Sequence, residues 1–344
     1  MAYTTINKST DYFNTITYTG NGTGSTARTV GFNPDWIWVK NRSSTDSHYL
    51  MDKLRGLDWN IETDTSAAQV RDYLISGTTS TGWTSSNSGE INANSANFVA
   101  WNWKANGQGS SNTTGSINTT YTSVNTTAGF SISTYTGNGV AGATIGHGLG
   151  VIPKMIIAKK LNGSPNWGVY HAGLGNASKY LELNTTAAEQ TDSGVWDGAT
   201  PTASVFYVGS DNKVNSSGDT YVAYCFAPKT GYSKFGSYTG NGNADGTFVY
   251  TGFKPAFVII KRTDTTNNWY IHDNKRLGYN VSNSYLKANE NSAESATTDI
   301  DILSNGFKCR STGNGHNNSS GTYIYAAFAE APLVGSNNVP CTAR

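Results

Sequence analysis

The sequence predicts an all-β protein made of three tandem β-sandwich-like modules of about 100 residues each. Three observations predict it. The turn Tyr-Thr-Gly-Asn-Gly occurs at residues 18–22, 135–139 and 238–242, and each copy is followed by a proline and an apolar run that ends in lysine six residues later: Pro34 to Lys40, Pro153 to Lys159 and Pro255 to Lys261. Each copy then closes on an asparagine with an aromatic six residues beyond it, Asn92 to Phe98, Asn215 to Tyr221 and Asn317 to Tyr323. Between these landmarks run short apolar or aromatic stretches bounded by glycine and asparagine, the pattern of strands and turns. A pattern that recurs at a fixed spacing marks a repeated structural unit.

In chain order, the first module covers residues 1–109. Tyr12 to Tyr18 is a strand, and Trp36-Ile37-Trp38-Val39 is a short apolar run that fits a strand buried on both faces. His48 to Asp52 and Phe98 to Trp103 are further strands, and Ala67 to Ile75 is a faintly helical stretch. Residues 110–128, nearly all Gly, Ser, Thr and Asn, read as a linker; Ile117, Tyr121 and Val124 within it imply that it lies along a surface. The second module, 129–230, carries Phe130 to Tyr135, Met155 to Lys160, Trp167 to His171, Tyr180 to Leu183, Val205 to Val208 and Tyr221 to Phe226. The third, 231–332, carries Phe257 to Lys261, Trp269 to Asp273, Phe307 to Arg310 and Tyr323 to Phe328, and residues 333–344 are a tail.

The 24 basic and 23 acidic residues nearly cancel and form no runs, which argues against nucleic acid as a partner, since phosphate binding needs concentrated cationic surface. Charged residues are only 14% of the chain against about 25% in ordinary domains, so polarity comes from Ser, Thr, Asn and 38 glycines. With 12% aromatics this composition is that of a turn-rich β protein rather than a disordered chain. No apolar stretch approaches the length of a membrane helix, and residues 1–11 lack a signal-peptide layout, so no membrane insertion is expected. Cys225, Cys309 and Cys341 are odd in number; Cys225, matched by Asn102 and Ala327 in the other copies, reads as a buried filler, and the chain is expected to fold in a reducing compartment.

The chemistry-bearing residues read mainly as interior. Trp38 is matched by Ile157 and Ile259, and Trp103 by Phe226 and Phe328, so those positions call for bulk. Trp101, matched by Tyr224 and Ala326, fits less tightly and is the one candidate binding residue on the surface. Asp273 beside His272 does not make a proton relay, because neighbours on a strand point to opposite faces; Asp52 and Asp273 are expected to cap turns. His147-Gly148-Leu149-Gly150 is a turn with no accompanying nucleophile elbow, and the five histidines lack zinc-ligand spacing. Lysines 40, 159 and 261 are expected to pack their stems and reach solvent with their heads. No catalytic residue, cofactor or metal follows from these patterns.

The opening residues Met1 to Ser9, the Tyr-Thr-Gly-Asn-Gly turns, residues 147–154, residues 231–242 and the ending Val339 to Arg344 resemble an uncharacterised repeat family common among virion proteins of marine tailed bacteriophages. The resemblance implies a structural, non-enzymatic particle protein assembled in the host cytoplasm, labelled a tail fibre or tail protein, that contributes to host attachment, with tail or capsid proteins and host surface glycan as partners. A capsid decoration or cement protein is the alternative, and a glycan-degrading tailspike enzyme the second. Exposed edges of tandem β-modules further suggest self-association as a homotrimer.

Overall fold

The computed structural model describes residues 3–276, 282–335 and 337–339. Strands join into antiparallel sheets of six, seven and eight strands, accompanied by a three-stranded and a two-stranded sheet. In the first large sheet the strand leading into the repeated turn, Phe13–Thr19, pairs with the closing strand Asn97–Trp103, which pairs with the lysine strand Trp36–Asn41 and then His48–Asp52. The second sheet repeats that order with Phe130–Thr136, Thr220–Phe226, Met155–Lys160 and Gly168–His171. The third does so with Ser233–Thr239, Thr322–Pro332, Phe253–Arg262 and Trp269–Asp273. Among the described residues, helix is confined to the four-residue turns Gly89–Asn92 and Ser193–Trp196 and two 3₁₀ turns. The stretch 67–75 is not helical: it holds the two-residue strand Val70–Arg71 and enters strand Ile75–Thr79, as expected where too few residues are available to nucleate a helix.

Successive side chains of a strand point to opposite faces, and here both faces are apolar. Trp36 and Trp38, Met155 and Ile157, and Phe257 and Ile259 all belong to a single apolar cluster shared by the three large sheets. The intervening Ile37 and Val39, Ile156 and Ala158, and Val258 and Ile260 turn the other way into three separate clusters, built around Trp83, Trp196 and Phe307 respectively. The lysine strands are therefore buried on both faces, as the apolar run Trp36 to Val39 predicted for the first. Within the shared cluster Trp103 and Phe226 lie 5.5 and 5.9 Å from Phe328, three rings from three sheets at one strand position.

The repeated turn is held by the same bonds in all three places. The tyrosine hydroxyl donates to the carbonyl preceding the closing asparagine, Tyr18 to Ile91, Tyr135 to Val214 and Tyr238 to His316, at 2.8 Å each. That asparagine, fully buried, accepts from the turn asparagine's N–H through its Oδ1 and from the second glycine's N–H through its carbonyl. The first glycine has no room for a side chain: a Cβ on Gly20, Gly137 or Gly240 would lie 2.1 to 2.4 Å from a carbonyl oxygen. The second, Gly22, Gly139 or Gly242, has φ of 66 to 72°, which favours glycine. The aromatic six residues on stacks against the tyrosine: Phe98 on Tyr18, Tyr221 on Tyr135 and Tyr323 on Tyr238, with centroids 4.9 to 5.3 Å apart.

The segment read as a linker is partly structured. Thr119–Asn125 adds an edge strand to the second sheet, and the buried Ile117 bridges to Ile145. Cys225 and Cys309 are free and buried, whereas Cys341 lies outside the described residues.

Candidate functional site

Trp101, the surface candidate, is completely buried, and its indole donates to Asp273 Oδ2 at 3.0 Å. The expectation of exposure fails because the position faces the shared cluster, where Trp101 of the first sheet meets the third. Tyr224, paired with Ile157 as Trp101 is with Trp38, makes the equivalent bond from the second sheet to Asp52 of the first, at 2.7 Å. The third member of the set runs between His171 and the Tyr325 carbonyl, 3.1 Å apart, which links second sheet to third. Asp52 and Asp273 also cap turns, accepting from the N–H groups of Leu54 and Arg55 and of Lys275 and Arg276, and each pairs with the arginine of its own turn. These carboxylates neutralise buried guanidiniums and fix neighbouring sheets; they have no free face to offer a substrate.

The lysine expectation is also corrected. Lys40, Lys159 and Lys261 are completely buried, heads included. Lys159 Nζ donates to the carbonyls of Ser66, Gly163 and Pro165, and Lys261 Nζ to those of Thr186 and Asn267, so each reaches into the preceding sheet's segment. Lys40 Nζ donates to Asn41 and Ser44 carbonyls. Burial lowers the three ammonium groups from their ordinary value to about 8, 8 and 7 for Lys40, Lys159 and Lys261. Snorkelling fails here because the strands end against a neighbouring segment instead of water. Trp167 and Trp269 complete the seams through their indole N–H groups, which donate to the carbonyls of Glu62 and Thr65 and of Glu182.

All five histidines are buried, and desolvation depresses every one, His171 and His316 to about 4. Three also have a donor aimed at Nδ1: Trp38 Nε1 at His48, Leu149 N at His147 and Gly173 N at His171. A proton on those nitrogens would cost the bond as well as the desolvation. His147 thus organises the turn predicted at 147–150. His272 and His316 touch through their Nε2 atoms at 2.8 Å. Among the described residues no three His, Cys, Asp or Glu side chains converge to hold a metal.

The chain presents an exposed aromatic and charged constellation around Tyr73 that the sequence did not single out. Beyond the last rung of the first large sheet, Tyr73 is 56% exposed and has φ of 53°, an unusual conformation for a bulky residue. Two backbone bonds enforce it, from the N–H groups of Asp72 and Tyr73 to the Asp58 carbonyl. The Arg71 guanidinium lies 4.9 Å from the Tyr73 ring and 5.8 Å from that of Trp59, and its Nε donates to Asp58 Oδ2 at 2.6 Å. Tyr73 and Asp58 line a groove of about 430 Å³ together with Leu57, Ile75, Ser76 and Gly77. The shared cluster, by comparison, contains a cavity of only about 20 Å³, walled by apolar side chains. The one sequence signal for the groove is that its arginine and tyrosine belong to the first copy alone: by strand register Arg71 and Asp72 correspond to Thr191 and Asp192 in the second, and Ser193 stands where the first has Tyr73.

Fold and surface define a protein of antiparallel sheets around an all-apolar centre, with its polar chemistry spent on joining sheets. Over residues 8–332 the chain matches a family described as a domain of unknown function, DUF7483, and it belongs to that family. No curated protein and no solved structure matches it.

Proposed function

We propose that the chain is three copies of one β module closed around a common core, and that it serves as a non-enzymatic structural protein on the surface of a bacteriophage particle, tail-associated and contributing to host attachment. The observation that carries this reading is the cyclic set of seams: first sheet to third through Trp101 and Asp273, second to first through Tyr224 and Asp52, and third to second through Tyr325 and His171. A body closed in this way holds its outer surfaces in fixed relation, as a particle component must. The phage assignment itself rests on the sequence resemblance. In this reading the modules span 1–109, 129–230 and 231–332, and the threefold arrangement lies within one chain. A mass in solution of 36.7 kDa supports that arrangement, and three times that mass supports the homotrimer suggested by the strand edges.

A capsid decoration protein is the second reading. The threefold character of the seams favours it, since such a body matches the threefold positions of a closed shell. Imaging the intact particle and locating the chain tests both: density on the tail supports the first reading, and density on the head the second. Absence from the particle overturns both. Release of reducing ends from host surface glycan by the purified chain would instead establish a hydrolase.

A further inference from the structure

We propose that Tyr73, Arg71 and Asp58 form a binding site for an uncharged hexopyranose unit of a surface polysaccharide, an inference that rests on the attachment reading and gives it a place on the molecule. The first support is conformational. A bulky side chain in the left-handed region is strained, and such strain persists where surrounding bonds enforce it, often at binding sites. Here the enforced residue presents an aromatic ring that is 56% exposed, so the strain is not offset by burial.

The second support is chemical. An aromatic ring offers the apolar face on which a pyranose stacks, while hydroxyl groups need donors and acceptors at its rim. Arg71 and Asp58 supply both kinds through their ion pair at 2.6 Å, and the exposed carboxylate of Asp72, which accepts from Asn60, adds a further acceptor and a negative charge that disfavours an anionic ligand against a neutral one. The groove, about 430 Å³, is within the roughly 300–1,000 Å³ of small-ligand sites. It is also open on one side, for a Cβ added at Gly77 would meet nothing within 4 Å.

The alternative is that Arg71, Trp59 and Tyr73 merely brace one another. Tyr73→Gly separates the two, because glycine accepts φ of 53° without strain while deleting the ring. The full chain is applied to an array of defined glucose, mannose and galactose oligosaccharides, with adsorption to host cells measured in parallel. The expected result is that the chain binds at least one of these, that Tyr73→Gly weakens binding by about tenfold or more without lowering the unfolding temperature, and that Tyr73→Phe retains it. Binding by Tyr73→Gly as tight as that of the unaltered chain overturns the proposal, as does a fall in its unfolding temperature with affinity unchanged, or failure of the unaltered chain to bind any sugar of the array. Cell adsorption by the unaltered chain with an empty array overturns this site alone, and failure of the unaltered chain to adsorb to host cells overturns the attachment reading.

Discussion

Two short edge strands, Val70–Arg71 in the first large sheet and Gln190–Thr191 in the second, are followed by opposite treatments of an aromatic residue. After Gln190–Thr191, Asp192 caps the turn Ser193–Trp196, and the turn carries Trp196 inward, where it packs edge-on to Tyr170 and Phe206. After Val70–Arg71 the backbone instead takes a left-handed step at Tyr73 and leaves the ring in solvent. The difference teaches where to look for function in a chain of similar parts. Residues at matching positions fill interiors and join sheets, while a costly departure from the pattern that buries nothing needs another reason.

Four measurements bear on that contrast. Trp196→Ala should cost about 3–5 kcal/mol in denaturant unfolding, whereas Tyr73→Ala should fall within about 0.5 kcal/mol of the unaltered chain; equal losses would erase the distinction between interior and departure. Acid should act on the interior next. The histidines have lower pKa values folded than unfolded, so the unfolded chain takes up protons first, and stability present above pH 6.5 is lost as pH falls toward 4. For His171 alone the loss is about 3 kcal/mol. Melting temperatures recorded across that window should drop steeply, less so in His171→Asn, and a flat profile would contradict neutral burial.

Removing a staple of the repeated turn is a smaller perturbation. Asn215→Ala strips the Val140 and Gly209 carbonyls of their donor and the Asn138 N–H of its acceptor, at about 1–3 kcal/mol. Calorimetry of the variant checks the figure. The last variant, Tyr73→Gly, should be neutral or stabilise by up to about 1 kcal/mol as the strained step relaxes. A clear destabilisation would mean that the exposed stack braces the sheet.

Much of this was legible from residue order. The apolar run Trp36 to Val39 announced a strand buried on both faces, and Asp52 and Asp273 were readable as turn caps because neighbouring side chains on a strand point apart and make no relay. The repeated turn was readable as a unit because its bonds recur wherever its residues do. The fate of Trp101, Lys159 and Lys261 was not readable. Their partners, Asp273, Ser66 and Thr186, lie some 75 to 172 residues away, and nothing local indicates that a strand end will meet another sheet and not water. Tyr73 was missed for a different reason: a single tyrosine in a polar loop carries no mark of its φ.

By itself, then, the order of residues determined the strands, their turns and the side-chain parity that gives each large sheet two apolar faces, because these depend on chain geometry within a few residues. Only the tertiary structure decided that one face of each sheet would be spent on a common centre and that lysine and tryptophan would bridge the seams. It alone also left the ring of Tyr73 outside, because those outcomes depend on which surfaces meet, and hydrophobic burial has no direction until the sheets are in place.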